Sequence, residues 1–202
     1  MIKWNQVNER KICFLILRYF NYNSFLNEGE LLYTAKVKAV GRRIEIPVNL
    51  KEKVSSKEIY CQMSDLNSDF AFELPTINYW RNNGLSYKWL YGVNNYKKPL
   101  SICKLNTENP KEIIERVFEQ SEDNLVPSEP VFVENPNPQS EDDGVVLVWV
   151  LAKENDYLSI LDAKNMKEIA RANLPSEIKG AMTFHGFFSS ETGSFTSLNC
   201  RA

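Results

Sequence analysis

Residues 142–174 read DDGVVLVWVLAKENDYLSILDAKNMKEIARANL, and this stretch decides the fold. Asp142-Asp143-Gly144 is a turn signal that opens into Val145 to Ala152, an almost unbroken apolar run of strand length. Such a run implies a strand buried on both faces. Asn155-Asp156 turns the chain into Tyr157 to Leu161, Asp162 to Lys167 forms a further loop, and Glu168 to Leu174 alternates through Ile169, Ala170 and Ala172. Strand, turn, strand, turn, strand at this spacing is an antiparallel meander, the repeating unit of propeller blades and small barrels. The expected fold class is therefore all-β.

Working outward, residues 126–140 contain Pro127, Pro130, Pro136 and Pro138, which keep the backbone extended rather than helical. Further upstream, Asn109-Pro110-Lys111-Glu112 has helix-start chemistry, with Ile113, Ile114, Val117 and Phe118 on one helical face. The same residues equally suit the outer strand of a hairpin after Ile102 to Leu105. Asn82-Asn83-Gly84 is a turn signal ahead of aromatic-rich strand material, Tyr87 to Val93. Phe70 to Pro75 carries one carboxylate, Glu73, inside a mostly apolar segment. Arg43 to Val48 alternates as a half-buried strand does, with Pro47 placing it at an edge or near its end. Residues 51–69 read as a loop around a short strand at Glu58 to Met63, and Trp4 to Leu32 shows no clean period.

Composition narrows the function. In 202 residues, Lys and Arg total 24 against 26 Asp and Glu, so no basic surplus favours a nucleic-acid backbone. Cys13, Cys61, Cys103 and Cys200 are too far apart for a paired zinc clamp or redox motif. The apolar run Ile12 to Leu17 is closed by Arg18, too short for a membrane span and poor as a signal peptide, so the expected compartment is cytoplasmic. Only one histidine occurs, His185, which excludes a multi-histidine metal site built from this chain alone.

Several ordered segments carry a resemblance that composition does not. They are Arg42 to Leu50, Phe72-Glu73-Leu74-Pro75-Thr76-Ile77-Asn78-Tyr79, Pro127-Ser128-Glu129-Pro130-Val131-Phe132-Val133, Glu141 to Leu147, Leu158 to Ala163, Glu168 to Ala172 and Phe184-His185-Gly186. In this order they resemble the C-terminal part of the carotenoid cleavage oxygenase family, which includes the β-carotene oxygenases and the retinoid isomerohydrolase of the vertebrate eye. The resemblance implies a partial β-propeller, the C-terminal blades of a seven-bladed one, over residues 1–188; the Ser, Thr and Gly content of 189–202 gives a disordered tail with no inherited role. It also implies an oxidoreductase that uses Fe(II), held by four histidines, and oxygen to split a double bond of a carotenoid or retinoid. His185 matches the fourth metal ligand. Glu129 and Glu73 match two of the carboxylates that accept hydrogen bonds from ligand imidazoles, Glu129 orienting His185 and Glu73 orienting a histidine this chain does not contain. No catalytic side chain is assigned, and peripheral membrane association, known for some family members, stays open.

The division of labour has a chemical reason. A neutral imidazole binds iron through one nitrogen and donates its other N–H to a carboxylate, which fixes tautomer and ring angle. Taken singly, each residue also has an ordinary reading. His185 beside Phe184 and Gly186 suits a hydrogen-bonded structural histidine, Glu129 between two prolines a solvated loop carboxylate, and Glu73 the polar side of an edge strand. Trp80, Trp89 and Trp149 read as core, with the lining of an apolar polyene tunnel as the alternative, and Asp142 and Asp143 as turn residues and not a metal or acid-base pair. Two functions remain open. One is the C-terminal portion of a carotenoid oxygenase, inactive on its own with three of four ligands upstream; the other is a non-enzymatic β-rich protein that binds a carotenoid, retinoid or protein partner.

Overall fold

The computed structural model describes residues 10–18, 39–47, 62–67, 71–94, 99–118, 125–180 and 185–189. Three antiparallel sheets follow one another along the chain. The first joins β1 (Arg10–Arg18), β2 (Ala39–Pro47) and β3 (Gln62–Asn67) in that order. The second is a four-stranded meander of β4 (Glu73–Thr76), β5 (Trp89–Asn94), β6 (Ser101–Asn106) and β7 (Ile113–Val117). In the third, β10 (Gly144–Leu151), β11 (Tyr157–Asp162) and β12 (Glu168–Asn173) form the expected meander. Two short strands, β8 (Val126–Pro127) and β9 (Val131–Glu134), pair with successive parts of β10 on its other side.

Alternation of side chains explains how the sheets stack. On β5 and β6, Leu90, Cys103 and Leu105 face one way and pack with Leu66 of the first sheet and Phe72. Tyr91, Val93 and Ile102 face the other way and pack with Val146, Val148 and Val150 of the third. The two inner strands of the middle sheet, β5 and β6, are thus buried on both faces. Polar groups close the second joint: the Lys104 ammonium, with its side chain 1% exposed, lies 2.6 Å from Asp142 Oδ2 and 3.9 Å from the Trp89 ring centroid, and donates to Lys164 O. Burial lowers the Lys104 pKa, while the Lys104 and Ser140 hydrogen bonds outweigh burial at Asp142 and hold its carboxyl below the usual range. Next to it, the Glu141 carboxylate accepts the backbone N–H groups of Lys88 and Trp89.

Several expectations change. The 113–118 segment is the hairpin strand β7 rather than a helix, because Ile113 to Val117 completes the ladder of β6. Trp4 to Leu32, read as aperiodic, contains β1, and the strand expected at Glu58 to Met63 lies at Gln62–Asn67. Of the two places expected for Pro47, the structure has the second: it stands at the end of β2, a middle strand. Val145 to Ala152 is not buried on both faces: Val146, Val148 and Val150 are fully buried, while Val145, Leu147, Trp149 and Leu151 are half-buried, since a sheet packs against only one face of β10 among the described residues. Trp80 is not core but 78% exposed, on α1 (Tyr79–Asn82), a single helical turn capped by Asn78. Of the expected tail, residues 190–202 lie outside the described residues.

Candidate functional site

Glu129 sits where the first strand of the third sheet is interrupted. β8 stops at Pro127 and β9 starts at Val131, because prolines at 127 and 130 cannot donate to the ladder. The gap is stitched by Ser128, whose N–H donates to Trp149 O at 2.8 Å while its Oγ accepts from Trp149 N–H at 3.1 Å. With Pro130 and Phe132 buried on the core side, the Glu129 side chain is left on the other side. It is 13% exposed, so it is not the solvated loop carboxylate that its flanking prolines suggest.

The Glu129 carboxylate uses both oxygens on one short segment. Oε1 lies 3.2 Å from His185 Nδ1, and Oε2 accepts the Gly186 N–H at 2.8 Å. The imidazole is 80% exposed. A neutral ring that donates Nδ1–H to this carboxylate carries its lone pair on Nε2, the nitrogen a metal would use. The residues therefore fit one ligand position. Among the described residues, no group of three or more His, Cys, Asp or Glu side chains is placed to hold a metal, so they supply one imidazole and not a coordination set.

Glu73 begins β4, the corresponding first strand of the middle sheet, and is half-buried. Its strand is also irregular: the register slips between Glu73 and Thr76, and Leu74 has φ 48°, a left-handed conformation uncommon for a leucine. The slip puts Phe72 in the core shared with the first sheet and Leu74 against the core shared with the third, which alternation would place on the same side. Glu73 is left between the two. The structure thus joins Glu129 with His185, and places Glu73 on the neighbouring sheet at a comparable strand irregularity.

Three groups make contacts that the sequence pattern did not indicate. Asp156, read as turn chemistry, is buried and accepts the N–H groups of Ala152 at 2.9 Å and Gly180 at 2.6 Å, which hold its carboxyl below the usual range. Trp149 ties to Ser128 through its backbone and meets Gly180 with its indole. Trp80 and Phe187 are 78% and 77% exposed, with ring centroids 6.4 Å apart, and nothing in the spacing of residues 80 and 187 signals that contact.

Antiparallel meanders of four or so strands, stacked face to face in chain order, define part of a β-propeller, here with a carboxylate-held imidazole beside the first strand of a blade. The family model described as RPE65, retinal pigment epithelial membrane protein, matches residues 4–190, and the chain belongs to this carotenoid oxygenase family. It is 39% identical over 144 residues to the beta,beta-carotene 15,15'-dioxygenase of Gallus gallus, covering 69% of this chain and 25% of that protein. A mitochondrial carotenoid-cleaving dioxygenase of Mustela putorius furo is 36% identical over 145 residues, covering 67% and 26%. The chain thus spans about a quarter of these relatives' length. Among solved structures, cobalt-substituted apocarotenoid oxygenase of Synechocystis superposes with TM-score 0.66 at 20% identity, covering 84% of this chain and 35% of that one. A chimera of that oxygenase with RPE65 gives 0.66 at 21%, again over 84% and 35%. Among the described residues, no helix is long and apolar enough to cross a membrane.

Proposed function

We propose that this chain forms the C-terminal blades of an Fe(II)-dependent oxygenase that cleaves a double bond of a carotenoid or retinoid with O2. The reading is carried by the Glu129–His185 contact at 3.2 Å, set in a fold whose curated relatives are named as carotene dioxygenases. In it, His185 supplies one imidazole to the metal through Nε2, Glu129 fixes the tautomer and ring angle, and Glu73 serves another imidazole in the same way. Bound iron supplies the site at which oxygen is activated; this chain's part is to hold a neutral imidazole in one orientation. One imidazole does not hold iron, so the 202-residue chain by itself is inactive.

The test is iron content and β-carotene turnover of the purified chain after anaerobic loading with Fe(II). The expected result is substoichiometric iron and no cleavage products. Stoichiometric iron together with cleavage would contradict the single-ligand assignment. Stoichiometric, saturable binding of retinol or β-carotene by the iron-free chain would favour the non-enzymatic binding protein instead.

A further inference from the structure

Two pieces of the C-terminal segment are fastened to the third sheet, and the fastenings share one design. In each, a carboxylate accepts a glycine N–H while the glycine is pressed against a side chain of the sheet. At the first, Glu129 holds Gly186, where an added Cβ would lie 2.7 Å from Val131 Cγ2. At the second, Asp156 holds Gly180, where an added Cβ would lie 2.3 Å from Trp149 Nε1. Beside Gly180, the Lys179 ammonium donates to the carbonyls of Lys153 at 3.0 Å and of Ala152 and Glu154, capping the turn that carries Asp156. Asp156 is itself buried and locked by the Ala152 N–H, so it is a rigid anchor rather than a surface partner.

We propose that Asp156 is a positioning residue for His185: it fastens the segment at Gly180, and that fastening keeps the imidazole on Glu129. The proposal rests on the Glu129–His185 reading given above. Its physical reason is that the imidazole is 80% exposed, so packing does not orient it. A partly exposed hydrogen bond at 3.2 Å offsets little of the entropy of ordering the segment that bears the ring. A second anchor six residues upstream of Gly186 limits the length of chain on which the ring can move. The reach is short: Gly180 and Gly186 are six residues apart, and a chain of that length spans at most about 20 Å. The two anchors also share a scaffold, since Trp149 carries Gly180 on its indole and exchanges backbone hydrogen bonds with Ser128, the neighbour of Glu129.

His185 is the sole histidine, so its ring nitrogens give unambiguous signals. The test is magic-angle-spinning NMR of the full 15N-labelled chain, which tolerates self-association, at a pH where the ring is neutral. The wild type is expected to show the Nδ1–H tautomer, and Glu129→Ala to lose it. Asp156→Asn and Gly180→Ala are expected to lose the tautomer preference to the same extent, with shifts at Trp149 and Ala152 but the amide signals of β9, the strand that follows Glu129, unchanged. A merely structural role for Asp156 moves those amide signals and leaves the ring alone. Retention of the Nδ1–H tautomer in Gly180→Ala, which leaves the Asp156 turn intact, overturns the proposal even where Asp156→Asn fails to fold. Absence of that tautomer in the wild type instead overturns the Glu129–His185 reading, and the proposal with it.

Discussion

β10 of the third sheet is more apolar than β5 and β6 of the middle sheet and yet less buried, because the two sheets differ in what lies against them. β5 and β6 are covered from both sides, so Leu90 and Cys103 are as buried as Tyr91 and Ile102. β10 and β11 alternate strictly between buried and half-buried residues, because among the described residues one face meets a sheet and the other meets only short pieces of the C-terminal segment. The site lies on that less covered face. Burial is therefore decided by neighbours and not by hydrophobicity alone, and the sheet that carries the Glu129–His185 contact keeps a face on which the His185 side chain remains open.

The comparison can be broken most sharply at the joint between the two sheets. Asp142→Ala leaves the buried Lys104 ammonium without its carboxylate and should lower unfolding stability by about 3–5 kcal/mol, measured by denaturant titration. An effect below about 1 kcal/mol would mean that the joint is held by apolar packing alone. The next effect separates the faces: Ile102→Ala, fully buried, should cost about 2–5 kcal/mol, and Leu147→Ala, on the half-buried face, roughly 1 kcal/mol. Equal costs would show that the third sheet is covered on both sides in solution.

A smaller effect follows from acidity. Asp142, Asp156 and Glu168 are held below the usual carboxylate range, Asp142 by Lys104 and Ser140 against burial, Asp156 by two backbone N–H groups, and Glu168 by Arg171 and Ser159 against burial. A carboxylate depressed in the folded state contributes stability that is present above its unfolded value, about 4, and is lost as pH falls through the folded value. Unfolding stability should therefore decline below about pH 4, with a shallower decline in Asp142→Asn. An unchanged slope in that variant would remove Asp142 from the account. Smallest of all, Trp80→Ala, at an exposed position, should change stability by no more than about 0.5 kcal/mol.

The fold was legible where turn residues and apolar runs agree, as from Asp142 to Leu174, whose three strands stand within a residue or two of their expected bounds. It was illegible where a strand lacks alternation. β1 includes the continuous apolar run Ile12 to Leu17, and β3 holds Gln62, Ser64 and Asp65 on a mostly exposed strand at the end of its sheet. His185 and Glu129 were found by resemblance, since no periodicity links residues 56 apart in sequence. Asp156 and Gly180 carry no such signal. Their role depends on the path of the segment over Trp149, which only the assembled sheet defines.

Glu129 and His185 are proposed above as part of the metal site of a carotenoid oxygenase. The direct test is β-carotene cleavage by a chimera in which residues 4–190 of this chain, the stretch that the family model matches, replace the corresponding segment of the Gallus gallus dioxygenase. We expect an active chimera, loss of iron and activity in His185→Ala, and a loss of about 10–100-fold in Glu129→Gln. Full activity and iron content in the His185→Ala chimera would contradict that proposal.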